Sequence, residues 1–408
     1  MNFKKIAMIY RDVESCGGIQ REASFQIGTF AGWGYEPVVI SEKDIGSDDG
    51  RSSRLEALLR ERGAEIVIEH DAYNVKKLAA DLKASHAVGV PFVVFWHSVF
   101  SWMIANGNAR AEAVLGKLAS ADAVITLSPT DQAFFRVMGC RALAIPPCDA
   151  DIMDGFRRTE HPHNIVWLGR LVDLKRPLHA IQILELLRHD VNDAKLFMLG
   201  DGDPKVCSLI DDYVRDRPHL REAVHLYGFQ KDVRPYLEAA GAGLVTSKFE
   251  GFCHSIVEMK MASIPVVAYE MPYLLTIDEG TGAFQVPQGD IEAAASVLAK
   301  LFHNPRECFR QGELARKSYE LLSSFDHRKA YERLFADLAK PQGESSLLSV
   351  DPDAARNAMR VLIEHAQMGF TAVKERMKGQ ARDNESRKGP IGAIGRFLIK
   401  VGRRLARP

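Results

Sequence analysis

The feature that most constrains this chain is a rhythm that occurs twice. Short apolar runs of strand length alternate with amphipathic stretches, first through Ile6–Tyr10, Pro37–Ile40, Glu65–Ile68, Phe92–Trp96, Ala123–Leu127 and Ala142–Ile145. After an interruption it restarts through Ile165–Leu168, Leu196–Leu199, Val224–Leu226, Gly243–Val245 and Val266–Ala268. Continuous apolar strands separated by helices are the pattern of parallel sheets covered on both faces. The expectation is an α/β protein with two Rossmann-like domains in tandem, over residues 1–150 and 160–340. A ligand cleft between two such domains is the default site.

The interruption is Pro146-Pro147-Cys148-Asp149 and the polar stretch through Thr159-Glu160-His161-Pro162-His163, which reads as a linker. Ile291–Phe302, Arg306–Leu322 and His327–Leu338 read as consecutive helices. Beyond Lys340 the pattern changes to a helical, basic extension over 341–408, with one long helix expected at Ala354–Met377.

Charge sharpens that division. The formal net charge of the 408 residues is zero, which gives no sign of a nucleic-acid binder, but residues 374–408 hold eleven Lys/Arg against three Asp/Glu. Within 391–408, Ile391, Ile394, Phe397, Leu398, Val401 and Leu405 fall at near-helical spacing, with Arg396, Lys400, Arg403, Arg404 and Arg407 largely elsewhere. That is the pattern of a basic amphipathic helix on an anionic membrane surface; Gly392, Gly395 and Gly402 favour a frayed, solvated tail instead. No apolar run reaches membrane-spanning length, and the N-terminal apolar run is too short for a signal peptide. Six widely spaced cysteines form no CxxC pair, which fits a reduced, cytoplasmic protein with peripheral access to a membrane.

The segment Ser247-Lys248-Phe249-Glu250-Gly251-Phe252-Cys253-His254-Ser255-Ile256-Val257-Glu258 places two carboxylates eight residues apart between two apolar strands. Glu250 is expected on a strand-to-helix loop at the carboxyl edge of the sheet, and Glu258 about two turns into the helix. The helix N-terminus between them offers unpaired N–H groups to an anion. Acids beside an anion site fit a ligand that carries both phosphate and hydroxyls, as a sugar nucleotide does. Arg170 and Lys175, following the strand that ends at Gly169, supply two cations of the kind that steady a diphosphate leaving group. Gly17-Gly18, after the first strand, allows close backbone approach to a phosphate, or is a simple loop; it is not GxGxxG, which disfavours a dinucleotide oxidoreductase. His97 ends the Phe92–Trp96 strand and can donate to or accept from a hydroxyl, or be structural.

Taken in order and spacing, these motifs resemble retaining glycosyltransferases of the GT-B fold, family 4, over about residues 5–340. The family's E-x7-E is matched by Glu250 and Glu258, and its Gly-Arg…Lys element by Gly169, Arg170 and Lys175. The resemblance implies that Glu258 grips the ribose hydroxyls and that Glu250 faces the transferred sugar. Phe252, Cys253 and His254 then bring backbone N–H groups to sugar and phosphates, and Gly17 and Gly18 face the diphosphate. It further implies that Gly200-Asp201-Gly202 and Tyr227-Gly228-Phe229 cradle the nucleotide, that His97 lies near the donor sugar, and that no metal is needed. Asp201 and Asp203 are accordingly not expected to be metal ligands. Cys253 departs from the small or apolar residue more usual there, and the hinge at Pro146-Pro147-Cys148-Asp149 lacks the family's Asn and Gly.

The implied activity is transfer of a hexose-type sugar, with retention, from a nucleoside diphosphate to a hydroxyl of a glycan or lipid-linked acceptor. Met271-Pro272-Tyr273-Leu274 resembles loops of members that build bacterial surface polysaccharides. An epimerase or phosphorylase on the same fold, and a non-enzymatic partner protein, are the alternatives.

Overall fold

The computed structural model describes residues 3–10, 18–46, 49–70, 72–108, 110–147, 150–160, 162–278, 280–379 and 398. The chain divides into two compact units, one made of residues 1–148 and 326–408 and the other of residues 149–325.

The first unit holds a parallel sheet of six strands: β1 (Lys5–Tyr10), β2 (Glu36–Ser41), β3 (Ile66–Glu69), β4 (Phe92–Phe95), β5 (Ala123–Thr126) and β6 (Ala142–Ala144), in the order β2-β1-β3-β4-β5-β6. Strands β1, β3, β4 and β5 are buried on both faces at almost every residue, which is why they read as unbroken apolar runs. The chain moves from β1 outward to β2, then crosses back to add β3 on the other side. That reversal opens a crevice at the carboxyl ends of β1 and β3, the place where ligands enter sheets of this kind. Ser128-Pro129 is scaffold: Ser128 caps the helix Pro129–Val137 by accepting from Asp131 N, with Pro129 in the first turn.

The second unit repeats the plan with β7 (Asn164–Leu168), β8 (Lys195–Leu199), β9 (Val224–Leu226), β10 (Ala242–Val245), β11 (Val266–Tyr269) and β12 (Ala283–Val286), in the order β12-β11-β10-β7-β8-β9, again all parallel. Its reversal falls between β7 and β10. Ile165, Trp167, Leu196, Met198 and Leu244 pack with Ile181 and Leu184 of the helix Pro177–Leu187 and with Leu298 of the helix Ile291–His303. β12 was not anticipated. It is an edge strand whose residues Ala283, Phe284 and Gln285 are only partly covered, so it lacks the apolar run that marks the others.

The C-terminal helices group with the first unit, a different division from the one expected from sequence. In the helix His327–Leu338, Tyr331 packs edge-on against Phe30 and its hydroxyl accepts from Gln26 Nε2 at 3.1 Å. The long helix Pro352–Gly379 packs on Pro129–Val137, with Asn357 donating to Thr130 Oγ1 at 2.9 Å and His365 Nδ1 lying 2.6 Å from Ser101 Oγ. Through Val373, residues 352–373 are therefore part of a packed unit; Ala355, Ala358, Val361, Leu362 and Ala366 form its buried stripe. The amphipathic segment 391–408 lies outside the described residues except for Leu398. Among the described residues no helix is long and apolar enough to cross a membrane.

Candidate active site

The carboxyl ends of β7 and β10, flanking the reversal in the second sheet, carry the residues singled out by sequence. After β7 the chain runs through Gly169 and the exposed Arg170 into a tight turn, Asp173–Lys175. Arg176 then takes a left-handed conformation (φ 46°) that sends the chain into the helix Pro177–Leu187. After β10 the chain runs through Ser247, Lys248 and Glu250 to Cys253 and the helix His254–Met261.

The two loops are tied together. Trp167 Nε1–H donates to Thr246 Oγ1 at 3.0 Å, and the Thr246 hydroxyl reaches the Lys175 carbonyl at 2.7 Å. Lys248 N–H donates to the Leu174 carbonyl at 2.9 Å, and its ammonium pairs with Asp173. Gln288, just beyond β12, donates to the Glu270 carbonyl at 3.0 Å and accepts from Arg176 Nη1 at 2.8 Å. These bonds fix a scaffold under one ion pair: Lys175 Nζ donates to Glu250 Oε1, which also accepts from Ser247 Oγ at 2.6 Å. Burial pulls the Lys175 ammonium down, but Glu250 outweighs it, and the net shift is upward. Lys175 is held as a cation.

Glu250 N–H donates to the Tyr273 hydroxyl at 3.2 Å, and Thr276 Oγ1 donates to the Phe252 carbonyl at 3.2 Å, so the segment after β11 braces the carboxylate loop. Cys253 is left-handed (φ 66°) and buried, its thiol 3.3 Å from Ser255 Oγ. Burial, followed by Glu250, pushes that thiol up to about 12. The left-handed residue delays the helix, which starts at His254. Glu258 therefore sits a little over one turn into it rather than two, and is buried. His254 is the first helical residue, its ring edge-on to Phe252.

The neighbouring glycines explain themselves by contact. Gly169 N–H donates to the Leu199 carbonyl at 3.0 Å, and Gly200 N–H donates to the Gly228 carbonyl at 2.8 Å. A Cβ on Gly200 would lie 2.0 Å from the Gly169 carbonyl oxygen, and one on Gly202 2.1 Å from that of Leu171. Three loops thus pack backbone to backbone at the sheet edge. Asp201 accepts from Phe229 N–H at 3.1 Å, and Asp203 caps the helix Pro204–Arg215 by accepting from Lys205 N–H at 2.8 Å. Both acids are loop ties. Among the described residues no group of three or more His, Cys, Asp or Glu is placed to hold a metal.

In the first unit, His97 follows β4 and stacks on Phe95 at 4.2 Å. Its Nε2 lies 2.7 Å from Nδ1 of His70, which follows β3. The sequence reading missed His70 because the strand was ended at Ile68, one residue before its observed end and two before His70. Gly18 opens the helix Gly18–Gly32, whereas Gly17 lies outside the described residues. Ser247, Tyr273, Thr276 and Gln288 were also missed, since each acts through a contact between loops distant in sequence.

Two Rossmann-like parallel sheets, the second with a cation–carboxylate pair at its reversal, define the GT-B architecture. A glycosyltransferase from Rickettsia africae ESF-5 matches it with a TM-score of 0.67 over 83% of this chain and 100% of its own, at 14% identity. Anabaena HepE, crystallised with UDP and glucose, matches with a TM-score of 0.64 over 83% and 100%, at 15% identity. Residues 162–304 match the family described as glycosyl transferases group 1. A poly(glycerol-phosphate) alpha-glucosyltransferase of Bacillus subtilis (strain 168) is 26% identical over 165 residues, 40% of this chain and 24% of the relative. A poly(ribitol-phosphate) alpha-N-acetylglucosaminyltransferase of Staphylococcus aureus (strain COL) is 25% identical over 155 residues, 37% of this chain and 30% of the relative. The chain spans less than half the length of the curated relatives it matches.

Proposed function

We propose that the chain is a retaining glycosyltransferase that moves a sugar from a nucleoside diphosphate to an acceptor hydroxyl. The observation that carries this reading is the Lys175–Glu250 pair at the β7/β10 reversal, with the exposed Arg170 on the same loop. Arg170 and Lys175 hold the diphosphate, aided by N–H groups at the start of the helix His254–Met261. Gly169 and Gly228 keep the nucleotide loops close, and Glu258 takes the ribose hydroxyls. Glu250, steadied by Lys175 and Ser247, takes a hydroxyl of the transferred sugar; for His97 the family resemblance supports a role as a hydrogen-bonding group toward substrate. Phe252, Cys253 and His254 line that position with backbone.

In the reaction the acceptor oxygen bonds to the anomeric carbon on the face from which the diphosphate departs. The carbon–oxygen bond to the leaving phosphate breaks, and that phosphate takes the acceptor proton. Charge grows on the leaving group, where Arg170 and Lys175 oppose it. No metal enters this scheme.

UDP is the first donor base to test, since the Anabaena neighbour holds it, and hexose or N-acetylhexosamine are the sugars named for the relatives. A glycan, a polyol-phosphate polymer or a lipid-linked acceptor at a bacterial cell surface fits the same names. The basic pattern of residues 391–408 fits work at the inner face of a membrane. Thermal unfolding with UDP-, GDP- and ADP-sugars is the test. A donor at a hundred times its Kd should stabilise the fold by about 2.7 kcal/mol, and the Lys175→Ala protein should lose most of that gain. If no nucleotide sugar raises the unfolding temperature and none is consumed, the proposal fails. Analysis of a labelled product separates transfer from epimerisation or phosphorolysis, and its anomeric configuration tests retention.

A further inference from the structure

In the first unit the sheet reverses between β1 and β3, and three rings stand at the crevice this opens. Tyr10 ends β1, His70 follows β3, and His97 follows β4. His70 is stacked on Tyr10 at 4.2 Å and on His97 at 5.0 Å, while His97 also stacks on Phe95. His70 N–H of the backbone donates to the Ile9 carbonyl at 3.0 Å, which pins the ring's origin to β1. The His70 side chain is 1% exposed, whereas His97 is partly open.

The two imidazoles share one hydrogen bond, between His70 Nδ1 and His97 Nε2, at 2.7 Å. The other nitrogen of His70, Nε2, is buried and has no hydrogen-bond partner among the described residues. One neutral ring must donate and the other accept, so two arrangements exist. If His97 donated, His70 Nε2 would carry a buried hydrogen with no acceptor among the described residues, the rarer condition in folded proteins. If His70 donates, its Nε2 is a bare lone pair and His97 must carry its own hydrogen on Nδ1. Burial, with His97 adding to it, holds His70 well below the usual histidine range, so the ring stays neutral and keeps one hydrogen.

We infer that His70 is a positioning residue that fixes His97 as the Nδ1–H tautomer, making His97 a hydrogen-bond donor at Nδ1. The orientation follows from the same contacts: Phe95 and His70 hold two sides of the His97 ring, and the Nε2 bond sets its rotation. This deepens the proposed role of His97 and rests on it only for the activity readout. The tautomer itself is a property of the first unit.

The experiment uses the full chain with nitrogen-labelled histidine and two-bond proton–nitrogen correlation at neutral pH, the His97 signals being assigned with His97→Gln. The expected result is a protonated Nδ1 and a bare Nε2 on His97. In His70→Phe that pattern should collapse to the mixed tautomers of a free imidazole. In His70→Asn, whose amide nitrogen stands where Nδ1 stood, it should persist. With the best donor, His70→Phe should lose about 10–100-fold in kcat with a smaller change in donor KM, and His70→Asn should recover most of it. A His97 with Nε2 protonated in the unaltered chain overturns the inference, as does a His70→Phe protein whose His97 signals do not move. Should His70→Phe fail to fold, the unaltered chain still decides the tautomer. A correct tautomer without any glycosyl transfer would leave this inference standing and remove the catalytic reading.

Discussion

Lys175 and Glu250 are 75 positions apart in sequence and form one ion pair across the β7/β10 reversal, with Ser247 on the same carboxylate oxygen. Neither side chain is widely exposed, so the pair places a cation and an anion where little water screens them. In the proposed reading the cation meets the donor diphosphate and the anion a sugar hydroxyl.

Lys175→Ala removes one partner and leaves Glu250 partly buried without its cation. The expected loss is about 10²–10³ in kcat, with about 1–3 kcal/mol of stability. Adding Glu250→Ala should recover part of the stability and none of the activity, because the orphaned charge is gone. Denaturant unfolding of the two single variants and the double variant measures the coupling. Additive stability effects would show that the pair does not interact in solution.

Gly200→Ala tests the backbone packing of the nucleotide loops. The new Cβ would stand 2.0 Å from the Gly169 carbonyl oxygen at a backbone φ of 136°, which side chains rarely adopt. The clash is with backbone, so no rotamer relieves it. The expected cost is about 3 kcal/mol or more, with weakened donor binding. Gly155→Ala at a left-handed position with open space around its Cβ is the control, and should cost about 1–2 kcal/mol.

Much of this was legible in the sequence because parallel strands buried on both faces announce themselves as apolar runs. Eleven of the strands were placed to within a residue or two at either end for that reason. β12 escaped because an edge strand has no such run. Arg170, Lys175 and Glu250 were found because charged residues just past a strand end stand out. Ser247, Tyr273, Thr276 and Gln288 were not, since a hydroxyl or amide that braces a loop has no local signature. Cys253 was seen as unusual, but its left-handed backbone, and with it the late start of the helix before Glu258, is visible only in three dimensions.

Cys253 should be inert to alkylation in the native protein. Its thiol is buried and pushed up to about 12, so almost none is thiolate at neutral pH. Cys207, which is partly exposed on the helix Pro204–Arg215, should react well before it. Mass spectrometry after a short iodoacetamide pulse checks this, and Cys253 should label only in denaturant. Native labelling of Cys253 at the rate of Cys207 would contradict the buried placement. Cys253→Val should be destabilising by about 2 kcal/mol or more, because a β-branched residue tolerates φ 66° poorly.

Lys260, two residues beyond Glu258, offers a pH test of stability. Its side chain is buried in the helix His254–Met261, where the ammonium donates to Thr281 Oγ1 at 2.9 Å and Ser318 Oγ at 2.8 Å. Burial lowers it to about 7, and Asp278 opposes that only in part. An unfolded chain keeps this lysine protonated to its ordinary value of about 10.4, so between about pH 7 and 10 the unfolded state binds the extra proton. Stability must then rise with pH across that window, by on the order of 1 kcal/mol per pH unit from this group, and level off below pH 7 where both states are protonated. Lys260→Met keeps the length of the chain and removes the charge. It should be more stable than the parent at pH 7 and should show a correspondingly smaller rise towards pH 10. Unfolding free energies of both proteins at pH 6.5, 8 and 9.5 decide the matter: parallel pH profiles would mean that Lys260 is hydrated and ordinary.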